Sequence, residues 1–130
     1  MPGDGYYLHV MKTSAKKHRA VLVRPRIYIG DNISIGPGKI DLLREVEQSC
    51  SIAAAARTLG IPYKRAWSLV DSLNQGFGRP IVETATGGKG GGGASLTKLG
   101  RQVIDCYDAL EASLNASASK ELRALRALAD

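Results

Sequence analysis

The chain has 130 residues, of which 44% are hydrophobic, enough for one compact domain with an arm or a tail. A formal net charge of +6 and a pI near 9.6 point toward a polyanionic partner, without separating DNA from RNA or an acidic membrane surface. No apolar run approaches the roughly 20 residues that span a bilayer, Met1 to Lys17 has no long apolar segment of the secretory kind, and Cys50 and Cys106 form no C-x-x-C; a cytoplasmic protein with two reduced, buried thiols is expected.

Residues 1–20 contain Gly, Lys and His without a clear period and are expected to form a mobile basic arm. Over residues 1–30 six Lys/Arg stand against Asp4. Val21 to Ile29 alternates loosely with Arg24 and Arg26 and predicts a strand, which Pro25 confines to an edge or delays. Gly30 to Gly38 is turn-rich. A helix is predicted from about Lys39 to Ser49, with Ile40, Leu43 and Val46 on one side and Asp41, Glu45 and Glu47 on a solvated face.

The next stretch is the most informative. Ile52, Ala55, Ala56 and Leu59 fall at i, i+3, i+4 and i+7, so a short helix presents one apolar stripe whose alanines admit a close helix crossing. Ser51 suits its N-cap, and Gly60 suits its C-terminal end, where a positive φ is favoured. Pro62 suits the first position of a second helix over residues 62–76. Ala66, Trp67, Val70, Leu73 and Phe77 are assigned to the inner face of that helix, with Trp67 in the core. Tyr63, Lys64, Arg65 and Ser68 then point outward at its N-terminal end. Two helices joined by a tight turn, the second opening on exposed basic residues, is the layout that puts a helix end into the DNA major groove. Such a pair is also a common packing unit.

Residues 80–97 read as a strand, a glycine-rich loop and a short returning strand, which together make a hairpin wing. Gly88 to Gly93 formally matches G-x-G-x-x-G, but any polyglycine run does, and no helix starts inside it. The loop is either a flexible turn or a phosphate contact through bare backbone N–H groups, with Lys89 at its tip. Thr97 is placed to cap a long helix over 97–115. Its apolar residues Leu99, Val103, Tyr107, Leu110 and Leu114 step by 4, 4, 3 and 4, a near-heptad stripe suited to pairing with a second copy. Residues 116–130 read as a short helical tail with Leu122, Leu125 and Leu128. His9 and His18 lack partners at metal-ligand spacing, and no nucleophile–base set can be assembled. An enzyme, a metal site and a cofactor are therefore not expected.

Ser51, Ile52, Ala55, Ala56, Gly60, Tyr63, Lys64, Ala66 and Trp67, followed by Thr84-Ala-Thr-Gly-Gly-Lys-Gly-Gly-Gly-Gly-Ala94 and by Leu96, Thr97 and Gly100, closely resemble the N-terminal DNA-binding domain of the ModE family. These are bacterial molybdate-responsive transcription regulators whose DNA-binding domain is similar to that of LysR-type regulators. The resemblance covers about residues 22–115. It implies a mainly α fold with a small β-hairpin, a winged helix-turn-helix over 21–115 with a long C-terminal dimerisation helix. It further implies a homodimer on a palindromic double-stranded site. Tyr63, Lys64 and Arg65 would open the recognition helix, and Thr86, Gly87, Gly88, Lys89 and Gly90 would form the wing that touches the backbone or minor groove. Ser51, Arg57 and Ser68 complete the candidate DNA contacts, Arg57 as a phosphate contact. Of Lys64 and Arg65, one is expected at a guanine edge and the other at a phosphate, with Arg65 assigned the base. Pro62 stands where the family often has a serine, which puts one phosphate contact in doubt. Only about 15 residues follow the long helix, so the family's oxyanion-binding part is not expected here, nor is molybdate binding. The rival reading is a winged-helix protein-interaction or architectural module without specific DNA readout. RNA binding is disfavoured, since Tyr63 alone makes a poor stacking platform.

Overall fold

The computed structural model describes residues 22–85 and 93–130. The expected arm over 1–20 and the loop residues Thr86, Gly87, Gly88, Lys89 and Gly90 lie outside the described residues. Within them the order is β1 (Ile27–Ile29), β2 (Ile33–Ile35), α1 (Pro37–Ser49), α2 (Ile52–Leu59), α3 (Tyr63–Phe77), β3 (Val82–Thr84), β4 (Ala94–Leu96), α4 (Lys98–Ser117) and α5 (Ser119–Ala129). Helix, two-helix unit, hairpin and long helix in that order make a mainly α winged helix-turn-helix.

The first strand starts only after Pro25, and the segment read as turn contains its partner. Ile27 faces Ile35 and Ile29 faces Ile33 in an antiparallel pair, closed by a turn in which Gly30 has φ 58°. Ile-Ser-Ile is too short to show a period, which is why β2 was not legible. Pro37 occupies the first turn of α1, where no N–H is needed, two residues ahead of the predicted start.

Helix α1 inserts Ile40, Leu42, Leu43 and Val46, all fully buried, against Ile52, Ala55, Ala56 and Leu59 of α2. Ser51 caps α2 as expected, its Oγ accepting from the Ala54 N–H at 3.0 Å. Gly60 ends it at φ 69°, and the Ile61 N–H then reaches the Ala56 carbonyl at 3.0 Å. Pro62 is the N-cap of α3 rather than its first residue: with ψ at 144° it is still extended, while its carbonyl already accepts from Ala66 at 3.1 Å. Ala66, Val70 and Leu73 of α3 complete the three-helix core.

Asp41 and Glu47, expected in a solvated face, instead carry ion pairs. Asp41 accepts from Arg24 at 2.9 Å, and Glu47 pairs with Arg101 of α4. Arg44 holds Asp108 through both terminal guanidinium nitrogens, a second tie between α1 and α4. These pairs are partly exposed and screened by solvent, so they contribute little to stability. The thiols differ from expectation too. Cys50 and Cys106 are both exposed. Cys50 sits past the end of α1 at φ 57°, where its backbone does the work, its carbonyl accepting from Ala94 of β4 at 3.0 Å.

Thr97 caps α4 through the Gly100 N–H at 3.0 Å, while its hydroxyl also lies 2.8 Å from the Pro80 carbonyl. Helices α4 and α5 are parted by Ala118 alone, so the long helix runs two residues past its expected end at 115. A Cβ added at Gly100 would stand 2.5 Å from the Ile81 carbonyl oxygen and 2.5 Å from a Leu96 methyl, whereas one added at Gly38 meets nothing within 4 Å. Gly100→Ala is therefore expected to cost about 1–3 kcal/mol in urea unfolding. Gly38→Ala in α1 should be neutral or stabilising by up to about 1 kcal/mol.

Candidate nucleic-acid interface

The turn Gly60-Ile61-Pro62 brings the exposed end of α2 beside the start of α3. Arg57 is exposed on the last turn of α2, and Tyr63, Lys64, Arg65 and Ser68 are all exposed on the first turns of α3. Helical steps of 100° set Lys64 and Ser68 opposite the buried Ala66, Val70 and Leu73. The oxygen of Ser51 is engaged in the cap of α2.

A second group of charges, not singled out in the sequence, lies on the flank of this helix. The Lys39 ammonium donates to the Ser34 carbonyl at 2.6 Å and to Ser72 Oγ of α3 at 3.3 Å. Burial first, then the positive charges of Arg26 and Arg65, hold its pKa below the usual lysine range. Three cations crowd together here, one from the segment before β1, one from α1 and one from α3. An anion placed among them would relieve the crowding. Residues this far apart in sequence carry no shared spacing, and only the fold brings them together.

Trp67 is not in the core. It is 37% exposed, and Tyr63, 53% exposed, meets it edge to face with ring centroids 6.3 Å apart at 83°. Its place one residue after buried Ala66 suggested an inner face; its place four residues after Tyr63 was the better signal, because i and i+4 share a side.

Asn74, also unremarked in the sequence, ties α3 to the hairpin. Its Oδ1 accepts from the Ile81 N–H at 2.7 Å and the Val82 N–H at 3.2 Å, and its Nδ2 donates to the Val82 carbonyl at 3.1 Å. Strand β3 pairs with β4 through Val82–Leu96 and Thr84–Ala94, and the Ala85 N–H reaches Gly93 at 2.9 Å. The base of the hairpin is thereby held against α3. The candidate wing residues 86–90 lie outside the described residues.

The stripe assigned to pairing divides. Val103 and Tyr107 are 9% and 2% exposed, covered by the chain itself. The Tyr107 hydroxyl donates to the Pro25 carbonyl at 2.8 Å, and burial above all pushes its pKa up to about 12. Asn115 holds both the N–H and the carbonyl of Val23 at 2.8 Å. The segment before β1 therefore covers part of the face expected to be bare. Leu99 and Leu114 are half-buried and Leu110 is 38% exposed. Between α4 and β1 an apolar groove of about 330 Å³ remains, lined by Ile27, Ile29, Phe77, Leu99, Val103 and Leu110 among others.

Among the described residues no group of three or more His, Cys, Asp and Glu could hold a metal ion, and no helix is long and apolar enough to cross a membrane.

Replacing Asn74 with Ala leaves buried N–H groups without their acceptor. The expected cost is about 1–3 kcal/mol, with faster hydrogen exchange at Ile81 and Val82 and little change in α1 or α2.

Three relatives bear on this surface. The DNA-binding transcriptional dual regulator ModE of Escherichia coli K12 is 47% identical over 74 residues, 57% of this chain and 28% of that protein. The transcriptional regulator ModE of Haemophilus influenzae is 40% identical over 77 residues, 59% of this chain and 30% of that protein. The molybdenum-pterin-binding protein MopB of Rhodobacter capsulatus is 42% identical over 80 residues, 62% of this chain and 30% of that protein. The chain thus spans under a third of the length of these curated relatives. No protein-family model matches it.

Proposed function

Because the chain is ModE-like over more than half of its length, we propose that it is a sequence-specific double-stranded DNA-binding transcription regulator acting as a homodimer. One observation carries the reading: a helix-turn-helix whose second helix opens on Tyr63, Lys64, Arg65 and Ser68, all exposed, with Arg26 and Lys39 crowding the same flank. Lys64 and Ser68, opposite the buried face of α3, take the base-reading position. Arg65, close enough to depress Lys39, joins Arg26 and Lys39 as a phosphate contact, the reverse of the division expected for Lys64 and Arg65. Arg57, and Lys89 with its neighbouring glycines in the wing, contact backbone on either side.

The second copy docks on the groove beside α4. That groove is almost wholly apolar and is flanked by Ile29 and Leu110, 48% and 38% exposed. Burying the exposed part of each such side chain gains about 1 kcal/mol, and an isologous contact buries each of them twice. It would also set two recognition helices about 34 Å apart, or a multiple of that, along the duplex.

Gel-shift selection from random duplex DNA should recover a palindrome; selection of no site would return the chain to the protein-interaction or architectural reading. On the recovered site Lys64→Ala should cost about 1–3 kcal/mol and relax preference at one base pair. Arg26→Ala and Lys39→Ala should weaken binding to all sequences alike, each reducing the salt slope by about 0.9.

Leu110→Asp should shift the protein from dimer to monomer in sedimentation and weaken binding to the palindrome more than to a half-site. Unmodified protein that sediments as a monomer at tens of micromolar would overturn the dimer.

A further inference from the structure

Tyr63 and Trp67 are two large aromatic side chains of α3 that stay outside the core, 53% and 37% exposed. Tyr63, Trp67 and Asn74 follow at i, i+4 and i+11 and therefore share one side of α3. Asn74 is bonded to Val82 of β3, so that side is the one turned toward the hairpin. The edge-to-face contact between the rings, centroids 6.3 Å apart, holds them as one apolar block next to the polar Lys64 and Ser68.

Resting on the DNA-binding reading above, we propose that this block is a specificity element that reads the 5-methyl groups of thymine. In the major groove the thymine methyl is the one apolar feature of a base edge, and it is recognised by apolar contact rather than by a hydrogen bond. Lys64 and Ser68 supply hydrogen bonds on the outer face of α3, while Trp67 and Tyr63 supply the apolar surface on the flank facing the wing. The pair selects A·T against G·C at the base pairs it covers, and thymine against uracil at those same positions. Trp67 is the chain's one tryptophan, so its emission reports this site alone.

The test uses the full chain and the duplex recovered by selection, resynthesised with deoxyuridine replacing thymidine one position at a time. At one or two positions in each half-site the unmodified protein should lose about fourfold in affinity, the change expected for one methyl-sized apolar group no longer buried. Trp67→Ala, with its fold checked by circular dichroism, should bind thymine and uracil duplexes equally. Should that variant fail to fold, Trp67 emission in the unmodified protein decides, with a blue shift expected on binding. Equal affinity of the unmodified protein for every uracil duplex, a thymine preference that survives in Trp67→Ala, or unchanged Trp67 emission on binding would each overturn the proposal and leave DNA binding standing. Failure to bind any duplex would overturn the DNA-binding reading and the proposal together.

Discussion

The backbone of Ile81 is where three elements of this protein are joined. Its side chain is fully buried, its N–H is held by Asn74 of α3, and its carbonyl accepts from the Thr97 N–H at 3.0 Å, with the Thr97 hydroxyl at 3.1 Å. Gly100 in the first turn of α4 approaches the same carbonyl so closely that even a methyl group would collide with it. A buried peptide group must find its partners inside the protein. Here the N–H of one residue is satisfied by a helix on one side and its carbonyl by the cap of another helix on the other. Moving the hairpin relative to α3 would break the Asn74 bonds, and moving α4 would uncap it at Thr97. The angle between the exposed helix end and the hairpin is therefore set by hydrogen-bond geometry, where apolar contacts alone would allow some sliding.

A similar economy governs the long helix. Asn115, Tyr107 and Glu111 bind the extended segment 22–26 along α4, and Asp41 ties its Arg24 to α1. Asn115 exchanges both amide groups with the backbone of Val23 much as a neighbouring strand would. The segment hides the middle of the apolar stripe and leaves its flanks open beside β1. Whatever occupies that groove meets surface built from two distant parts of the chain. Tyr107 must remain protonated to donate to Pro25. Its pKa, raised from 10 to about 12, means that this contribution is complete below pH 10 and lost as pH rises toward 12.

The electrostatics follow from the same packing. Two acids of α1 are paired with arginines from other elements: Asp41 with Arg24 before β1 and Glu47 with Arg101 of α4. Lys39, on the other side of α1, keeps hydroxyl and carbonyl partners together with two cationic neighbours. Among the described residues, these acids are paired within the protein, while Arg26, Lys39 and Arg65 gather positive charge beside the start of α3. This asymmetry suits a polyanion better than the net charge alone conveys.

Local chemistry made much of this legible from the sequence. Stripes at i, i+3, i+4 and i+7, a glycine after Leu59, Ser51 and Thr97 as caps, and glycines between two short strands identify α2, α3, the hairpin and α4 within a residue or two, because each signal acts over one or two turns. The exposed set Tyr63, Lys64, Arg65 and Ser68 came from the same periodicity. The outward Trp67 was also local, signalled by its place four residues after Tyr63. Other features were not carried by any local period: β2, too short to show one; the exposed thiols; the cation cluster of Arg26, Lys39 and Arg65; and the Asn74 bonds to Ile81 and Val82. By itself the sequence determined which segments are helical and which face of each is apolar. Only the tertiary structure decided how much of the α4 stripe stays open, where the hairpin sits against α3, and which charges remain unneutralised, since these depend on contacts between residues up to 92 positions apart that no local period encodes.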